Sequence, residues 1–219
     1  MRIEAVLFDN DGTIIDSAAA IAQAFDHAFT TVCGAVPPLD EFMGLVGIPL
    51  REQMRHFAPG QVEELVAAYR DFNALHHDRL VQVYPNVKDA LEELAGNGMR
   101  MGMVTSKLHA IAIRGLALFD IDGYFEEVVG ADDCELHKPD PAPLLLCAEK
   151  MGVDIGRCLY VGDSPYDLQA ANAAGAISVA ALWGMYEPLV LRRESPRYEA
   201  RDIREVPDIA SQWQPSPSQ

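Results

Sequence analysis

Positive charge is scarce in this chain. Its 219 residues carry 17 Lys plus Arg against 33 Asp plus Glu, a formal net charge of −16. Nucleic-acid binding rests on neutralising phosphates with Lys and Arg, so this balance argues against a nucleic-acid partner. The same sign disfavours adsorption to an anionic membrane. Long apolar runs are missing as well. With no stretch of about 18 uncharged apolar residues, no membrane-spanning helix is expected. The opening MRIEAVLFDNDGT has too short an apolar run for a signal sequence and ends it in aspartates. Cysteine is sparse. Cys33, Cys134, Cys147 and Cys158 form no C-x-x-C and no zinc spacing. A cytoplasmic protein with reduced, mostly buried thiols is the simplest reading. His56, His76, His77, His109 and His137 also lack metal-ligand spacing.

What is present is globular in character: 49% apolar and 23% charged residues. The length suits one domain, or a core with a sizeable insertion. Five short apolar runs bounded by polar turns read as buried strands: Glu4–Phe8, Arg100–Thr105, Glu127–Gly130, Cys158–Val161 and Ala176–Leu182. Helical patterns over Val87–Ala95, Ala110–Leu118, Pro141–Met151 and Tyr166–Ala174 separate them. Strands alternating with helices predict a Rossmann-like α/β core with a parallel sheet. Between Asp16 and about Gln82 the alternation stops. Ile21, Phe25, Ala28, Phe29 and Val32 share one helical face, and Val62, Leu65, Val66, Tyr69, Phe72 and Leu75 share another. This predicts an inserted helical cap over residues 16–82, a core of residues 1–15 and 83–213, and crossings near Ile14–Ser17 and Leu80–Pro85. The tail 214–219, QPSPSQ, reads as a disordered end.

In an open parallel sheet, ligands bind beyond the carboxyl ends of the strands. Four polar clusters fall there. Asp9-Asn10-Asp11-Gly12-Thr13 follows the first strand, with two carboxylates two residues apart and a glycine for the turn. Thr105-Ser106-Lys107 offers hydroxyls and a cation at a helix start. Lys138-Pro139 precedes a helix, and Gly162-Asp163-Ser164-Pro165-Tyr166-Asp167 follows another strand. Each has an ordinary alternative: an acidic turn, a capping hydroxyl, a solvated lysine, a capped helix start. Together they put carboxylates, hydroxyls and a lysine on one sheet edge.

This combination resembles the haloacid dehalogenase-like superfamily, in its order and spacing, over nearly the whole chain. The segments FDNDGTIIDS, MVTSK, HKPDP and VGDSPYD look most like its phosphoglycolate phosphatases and related bacterial pyrophosphatases. The resemblance implies a helical cap of the C1 type inserted after the first motif. It implies Asp9 as nucleophile, Asp11 as general acid and base, Thr105 as a hydrogen-bond donor to the phosphoryl group, and Lys138 offsetting charge. It implies Mg²⁺ held by Asp9, Asp163 and the Asp11 backbone carbonyl, with Asp167 orienting metal waters or Lys138. Asn10 departs from the large apolar residue usual at its position and is either a candidate substrate contact or a residue facing solvent under the cap; Ser106 is a further candidate contact. Arg51 follows a Gly47–Leu50 cap loop. It is either a substrate-binding cation or a surface arginine pairing Glu52 or Glu41. Asn86 replaces a frequent glycine. The expected activity is a Mg²⁺-dependent phosphatase of a small phosphorylated metabolite such as phosphoglycolate, acting as a monomer or homodimer. The alternatives are an inorganic pyrophosphatase, a sugar-phosphate mutase, or a binding protein on the same fold.

Overall fold

The computed structural model describes residues 2–212, so the tail 214–219 lies outside the described residues. The central strands are β1 (Ala5–Phe8), β4 (Arg100–Val104), β5 (Glu127–Val129), β6 (Cys158–Gly162), β7 (Ile177–Ala181) and β8 (Tyr198–Ala200). They form one parallel sheet in the order β5-β4-β1-β6-β7-β8. β1 sits between β4 and β6, where the strand order reverses, so its carboxyl end opens on the crevice typical of such sheets. All four of its residues are buried because both faces of the sheet are covered. Val6 and Phe8 point into one core, with Leu91 and Leu94 of α5 (Val87–Gly96) and Leu116 of α6 (His109–Ala117). Ala5 and Leu7 point into the other, with Leu144 and Cys147 of α7 (Ala142–Met151) and Ala170 and Ala171 of α8 (Pro165–Ala174).

The chain leaves the core through β2 (Ile15–Asp16) and returns through β3 (Gln82–Val83), two-residue strands that pair antiparallel. Between them lie α1 (Ala18–Cys33), α2 (Leu39–Met43), α3 (Leu50–Phe57) and α4 (Val62–Leu80). These cap helices have their own core, built around Phe25, Phe29, Phe42, Met54 and Leu65. Phe25 stacks on Phe42 at 3.8 Å between ring centroids. Leu75 departs from its expected apolar stripe: it is 78% exposed. The sheet also has one strand more than the sequence pattern suggests. β8 is only three residues, with alternating exposure, and sits at an edge, so it has no continuous apolar run to betray it. The short helices α9 (Pro188–Arg193) and α10 (Glu205–Gln212) flank it. Asn86 adopts φ 66°, the left-handed turn its glycine counterparts favour, and its Nδ2 donates to Asp202 Oδ2 at 2.9 Å.

Candidate active site

Asp9 emerges from the carboxyl end of β1 with its backbone N–H on the carbonyl of Val161. Beneath it lies a buried lysine. Lys138 Nζ donates to Asp9 Oδ1 at 2.8 Å, Asp167 Oδ1 at 2.6 Å and Tyr160 Oη at 3.1 Å. Burial alone would favour a neutral amine, but the two carboxylates outweigh it and hold the ammonium form. Lys138 does not line the cleft, so its charge reaches a substrate through Asp9. Asp167 sits in the first turn of α8, where Ser164 and Asp167 form a reciprocal capping box. Its Oδ2 accepts from Ser164 N–H at 3.0 Å and Ser164 Oγ at 2.6 Å, so both of its oxygens are engaged by the protein. Among the two roles the resemblance implies for Asp167, contact with Lys138 is the one present.

Asp163 follows β6 and is 2% exposed. Its Oδ2 accepts from the backbone N–H of Met185 at 2.7 Å, and its Oδ1 lies 3.5 Å from Thr13 Oγ1. Gly12, at φ +83°, lets the first motif pass this close: a Cβ there would lie 2.1 Å from Asp163 Oδ2. Oxygens of Asp9, Asp163 and Asp167 fall within 4.8 Å of one another. Three carboxylates against one ammonium leave a surplus of two negative charges. The electrostatic consequence is direct. Burial, then Asp167, push Asp9 up to about 7 against the opposing pull of Lys138. Burial, then Asp167 and Asp9, push Asp163 well above the usual carboxylate range. Hard oxygen donors with a surplus charge of two fit a divalent cation.

Asp11 behaves differently. Its side chain, partly exposed, is held by Lys107 Nζ and Ser17 Oγ. Burial opposes its charge, yet Lys107 and then Ser17 hold the carboxyl below its ordinary value. The Asp11 carboxylate is thus not part of the aspartate cluster, which leaves its backbone carbonyl as the group the resemblance assigns to a metal. Lys107 was visible in the sequence as a cation in Thr-Ser-Lys, but nothing there coupled it to Asp11, 96 residues away. Ser17 stood in the sequence only as the end of FDNDGTIIDS, and Tyr160 and the Met185 N–H carried no signal there.

The cap docks on this floor through one loop. Ser106 Oγ donates to the Gly47 carbonyl at 2.5 Å, Tyr166 Oη to Gly44 at 3.2 Å, and Tyr186 Oη to Val46 at 2.8 Å. Gly47 has φ +120°, and a Cβ there would lie 2.8 Å from Tyr166 and 2.9 Å from Ser164 Oγ. At the other end of the interface, Arg114 of α6 donates to Asp78 of α4 at 2.9 Å. The cleft between cap and core has a volume of about 720 Å³. Asp9, Asp11, Thr105, Asp163 and His137 line its core side, and Arg51, Arg55, Arg70, Asn73 and His77 its cap side. Thr105 is buried, its Oγ1 accepting from Lys107 N–H at 3.2 Å. Two candidate substrate contacts are placed otherwise than expected. Asn10 is 2% exposed and does not line the cleft; its backbone carbonyl instead closes the turn, accepting from Ile14 and Ile15. Arg51 reaches the cleft rim, but its guanidinium is bidentate to Glu63 of α4, with Nη2 to Oε2 at 2.8 Å. Its partner is thus neither Glu52 nor Glu41. Ser106 lines the cleft, although its hydroxyl is spent on the cap loop.

Comparison with known proteins agrees with this geometry. Residues 6–181 match the family model described as haloacid dehalogenase-like hydrolase. The "Putative pyrophosphatase PpaX" of Caldanaerobacter subterraneus subsp. tengcongensis is 38% identical over 203 residues, 93% of this chain and 92% of the relative. The pyrophosphatase PpaX of Halalkalibacterium halodurans is 32% identical, over 95% of this chain and 97% of its own length. Among solved structures, a predicted phosphoglycolate phosphatase from Haemophilus somnus 129pt superposes with a TM-score of 0.84 at 26% identity, covering 96% of this chain and 99% of that one.

Proposed function

The chain belongs to the haloacid dehalogenase-like hydrolases, and from that premise we propose that it hydrolyses a small phosphorylated metabolite through an aspartyl-phosphate on Asp9. The observation that carries this reading is the pairing of two buried or half-buried aspartates with two lysines. Lys138 holds one oxygen of Asp9, and Lys107 holds Asp11. Among the described residues no hydrogen bond reaches Asp9 Oδ2, so that oxygen is the one to attack phosphorus. The new Oδ2–P bond forms as the bond from phosphorus to the leaving oxygen breaks, and the leaving group takes that electron pair. Water then attacks phosphorus, Asp11 accepts its proton, and the Oδ2–P bond breaks to return the Asp9 carboxylate. Lys138 favours the ionised form of Asp9 that attacks, with Asp167 and Tyr160 fixing the ammonium in place. Thr105, and the Ser106 backbone beside it, would orient the phosphoryl oxygens at the start of α6.

The metal proposed is Mg²⁺, held by Asp9 and Asp163 with the Asp11 carbonyl. When bound, it supplies the counter-charge that lets an anionic phosphoryl group approach three aspartates. The division into core 1–15 and 83–213 and cap 16–82 belongs to the same proposal, supported by the β2/β3 pair at the crossings. So do its cytoplasmic setting, its monomeric or dimeric state and the absence of nucleic-acid and membrane partners.

The substrate is drawn from two classes, a phosphoglycolate-like monoester and inorganic pyrophosphate. The state of Asp11 favours pyrophosphate. An alkoxide leaving group needs a proton at departure, whereas phosphate departs as a stable anion. A carboxyl held ionised by Lys107 suits the second case, serving chiefly as the base for water. The relatives named as pyrophosphatases point the same way. Phosphate release from pyrophosphate, phosphoglycolate, sugar phosphates and nucleotides, with Mg²⁺ present, tests the reading. Turnover led by pyrophosphate supports it; an isomerised sugar phosphate, or no release from any substrate, overturns it.

A further inference from the structure

Resting on the Mg²⁺ site proposed above, we infer that the loop of residues 182–187 couples that site to the cap, with Met185 and Tyr186 as positioning residues that hold Asp163 in its metal-binding orientation while the cap is docked. The loop joins β7 to α9 and reaches three parts of the molecule within four residues. Trp183 Nε1 donates to the Thr13 carbonyl at 3.0 Å, in the segment that leads to the cap crossing. The Met185 N–H donates to Asp163 Oδ2 at 2.7 Å, while the Met185 side chain packs against the cap core. Tyr186 Oη donates to the Val46 carbonyl of the cap loop at 2.8 Å. Gly184 crosses so near Asp163 that a Cβ there would lie 2.2 Å from the aspartate's own.

Ser106 and Tyr166 also dock the cap loop, but neither bonds to a carboxylate of the cluster. Among the described residues, no other segment bonds both to Asp163 and to the cap. Asp9 and Asp167 are held by Lys138, from the core alone. Asp163 is held otherwise. Its Oδ1 has only the long 3.5 Å approach of Thr13 Oγ1, so the Met185 N–H is the short bond that sets how the carboxylate is turned. Donors that orient a metal ligand in this way are commonly worth about 10- to 100-fold in metal affinity. Here the donor is itself steadied from the cap side. When the cap lifts, Met185 loses its packing and Tyr186 its acceptor, and the N–H that aims Asp163 is no longer fixed. The coupling is reciprocal: whatever the docked cap adds to Mg²⁺ affinity, bound Mg²⁺ adds to cap docking.

The test pairs calorimetric titration of Mg²⁺ with hydrogen exchange of the cap-loop segment 44–48, measured with and without Mg²⁺. In the wild type, Mg²⁺ should slow exchange of this segment by roughly 2- to 12-fold, the range of one neutral hydrogen bond. Tyr186→Phe removes only the hydroxyl. It should weaken Mg²⁺ binding by a similar factor and make exchange the same with and without the metal. Met185→Ala keeps the N–H but loses the packing on the cap, and should behave alike; Met185→Leu, which conserves volume, should restore both readouts. Tyr166→Phe removes the separate bond to Gly44. Its exchange should be faster throughout, yet Mg²⁺ should slow it by the wild-type factor. Wild-type Mg²⁺ binding that leaves exchange unchanged would overturn the inference, as would wild-type Mg²⁺ affinity and exchange response in Tyr186→Phe and Met185→Ala. Loss of the Mg²⁺ effect in Tyr166→Phe as well would assign it to cap docking in general and overturn the role of this loop. A wild-type protein that binds no Mg²⁺ defeats the proposed metal site, and the inference with it.

Discussion

Lys138→Met is the perturbation that reaches deepest into this structure. The ammonium is 2% exposed and bridges Asp9 at 2.8 Å and Asp167 at 2.6 Å. Methionine fills similar volume but leaves the three clustered carboxylates without their internal cation. Removing one partner of a buried charge pair costs about 3–5 kcal/mol. For a chain of this length that corresponds to a fall in melting temperature of about 6–20 °C. The loss should depend on pH in a definite direction. With Lys138 gone, Asp9 and Asp163 titrate still higher than in the wild type. A carboxyl whose folded-state value is raised gives stability that is full below its unfolded value and is lost as pH rises through the folded one. The variant should therefore be least stable at neutral pH and recover toward pH 5. Thermal denaturation at several pH values, with and without Mg²⁺, reads this directly, and added Mg²⁺ should restore part of the loss by supplying positive charge. A melting temperature within about 2 °C of wild type at neutral pH would refute the reasoning, since it would mean the cluster does not depend on its lysine.

In the metal-free wild type, Asp9 is raised to about 7 by burial and Asp167. Stability should therefore fall as pH climbs from about 4 to about 7, and Mg²⁺ titrated at neutral pH should raise the melting temperature. A stability profile rising over that window would contradict the assignment. Gly47→Ala places a Cβ against Tyr166 and Ser164 at a positive φ, so the cap loop should undock; KM is expected to rise while the melting temperature of the core changes little. Arg51→Ala removes an exposed pair with Glu63, so stability should shift by no more than about 0.5 kcal/mol and kcat/KM by less than about threefold on every substrate; selective loss on anionic substrates would restore Arg51 as a substrate contact.

The parallel core was legible because its strands are buried on both faces. Runs such as Ala5–Phe8 and Cys158–Val161 are continuous and apolar, and polar residues mark their ends. β8 escaped because an edge strand with Glu199 exposed has no such run. Within the site, Asp9, Thr105 and Asp163 stood at strand ends, where the sheet's geometry gives position a meaning, and Lys138 in the loop that leads from β5 to α7. Partner choice was hidden. Lys107 and Ser17 reach Asp11 from a different strand end and from the start of the cap, and local sequence cannot express such a distance. Arg51 was read toward its sequence neighbours Glu52 and Glu41, whereas helix packing brought Glu63 of α4 to it. Asn10 looked like a substrate contact because its neighbours are polar and functional. The turn that lets Asp9 and Asp11 leave the sheet rotates Asn10 inward instead.

Covalent phosphate on Asp9 is the most direct test of the account. Asp11→Asn should slow hydrolysis of the intermediate more than its formation, because the amide cannot take the proton from water. Mixing this variant with substrate and Mg²⁺, quenching in acid within milliseconds and sequencing its peptides by mass spectrometry should find one phosphoryl group, on Asp9. The bond should be labile to hydroxylamine, as an acyl phosphate is, and absent from Asp9→Asn. Phosphate on another residue, or sustained release of phosphate by Asp9→Asn, would contradict the account.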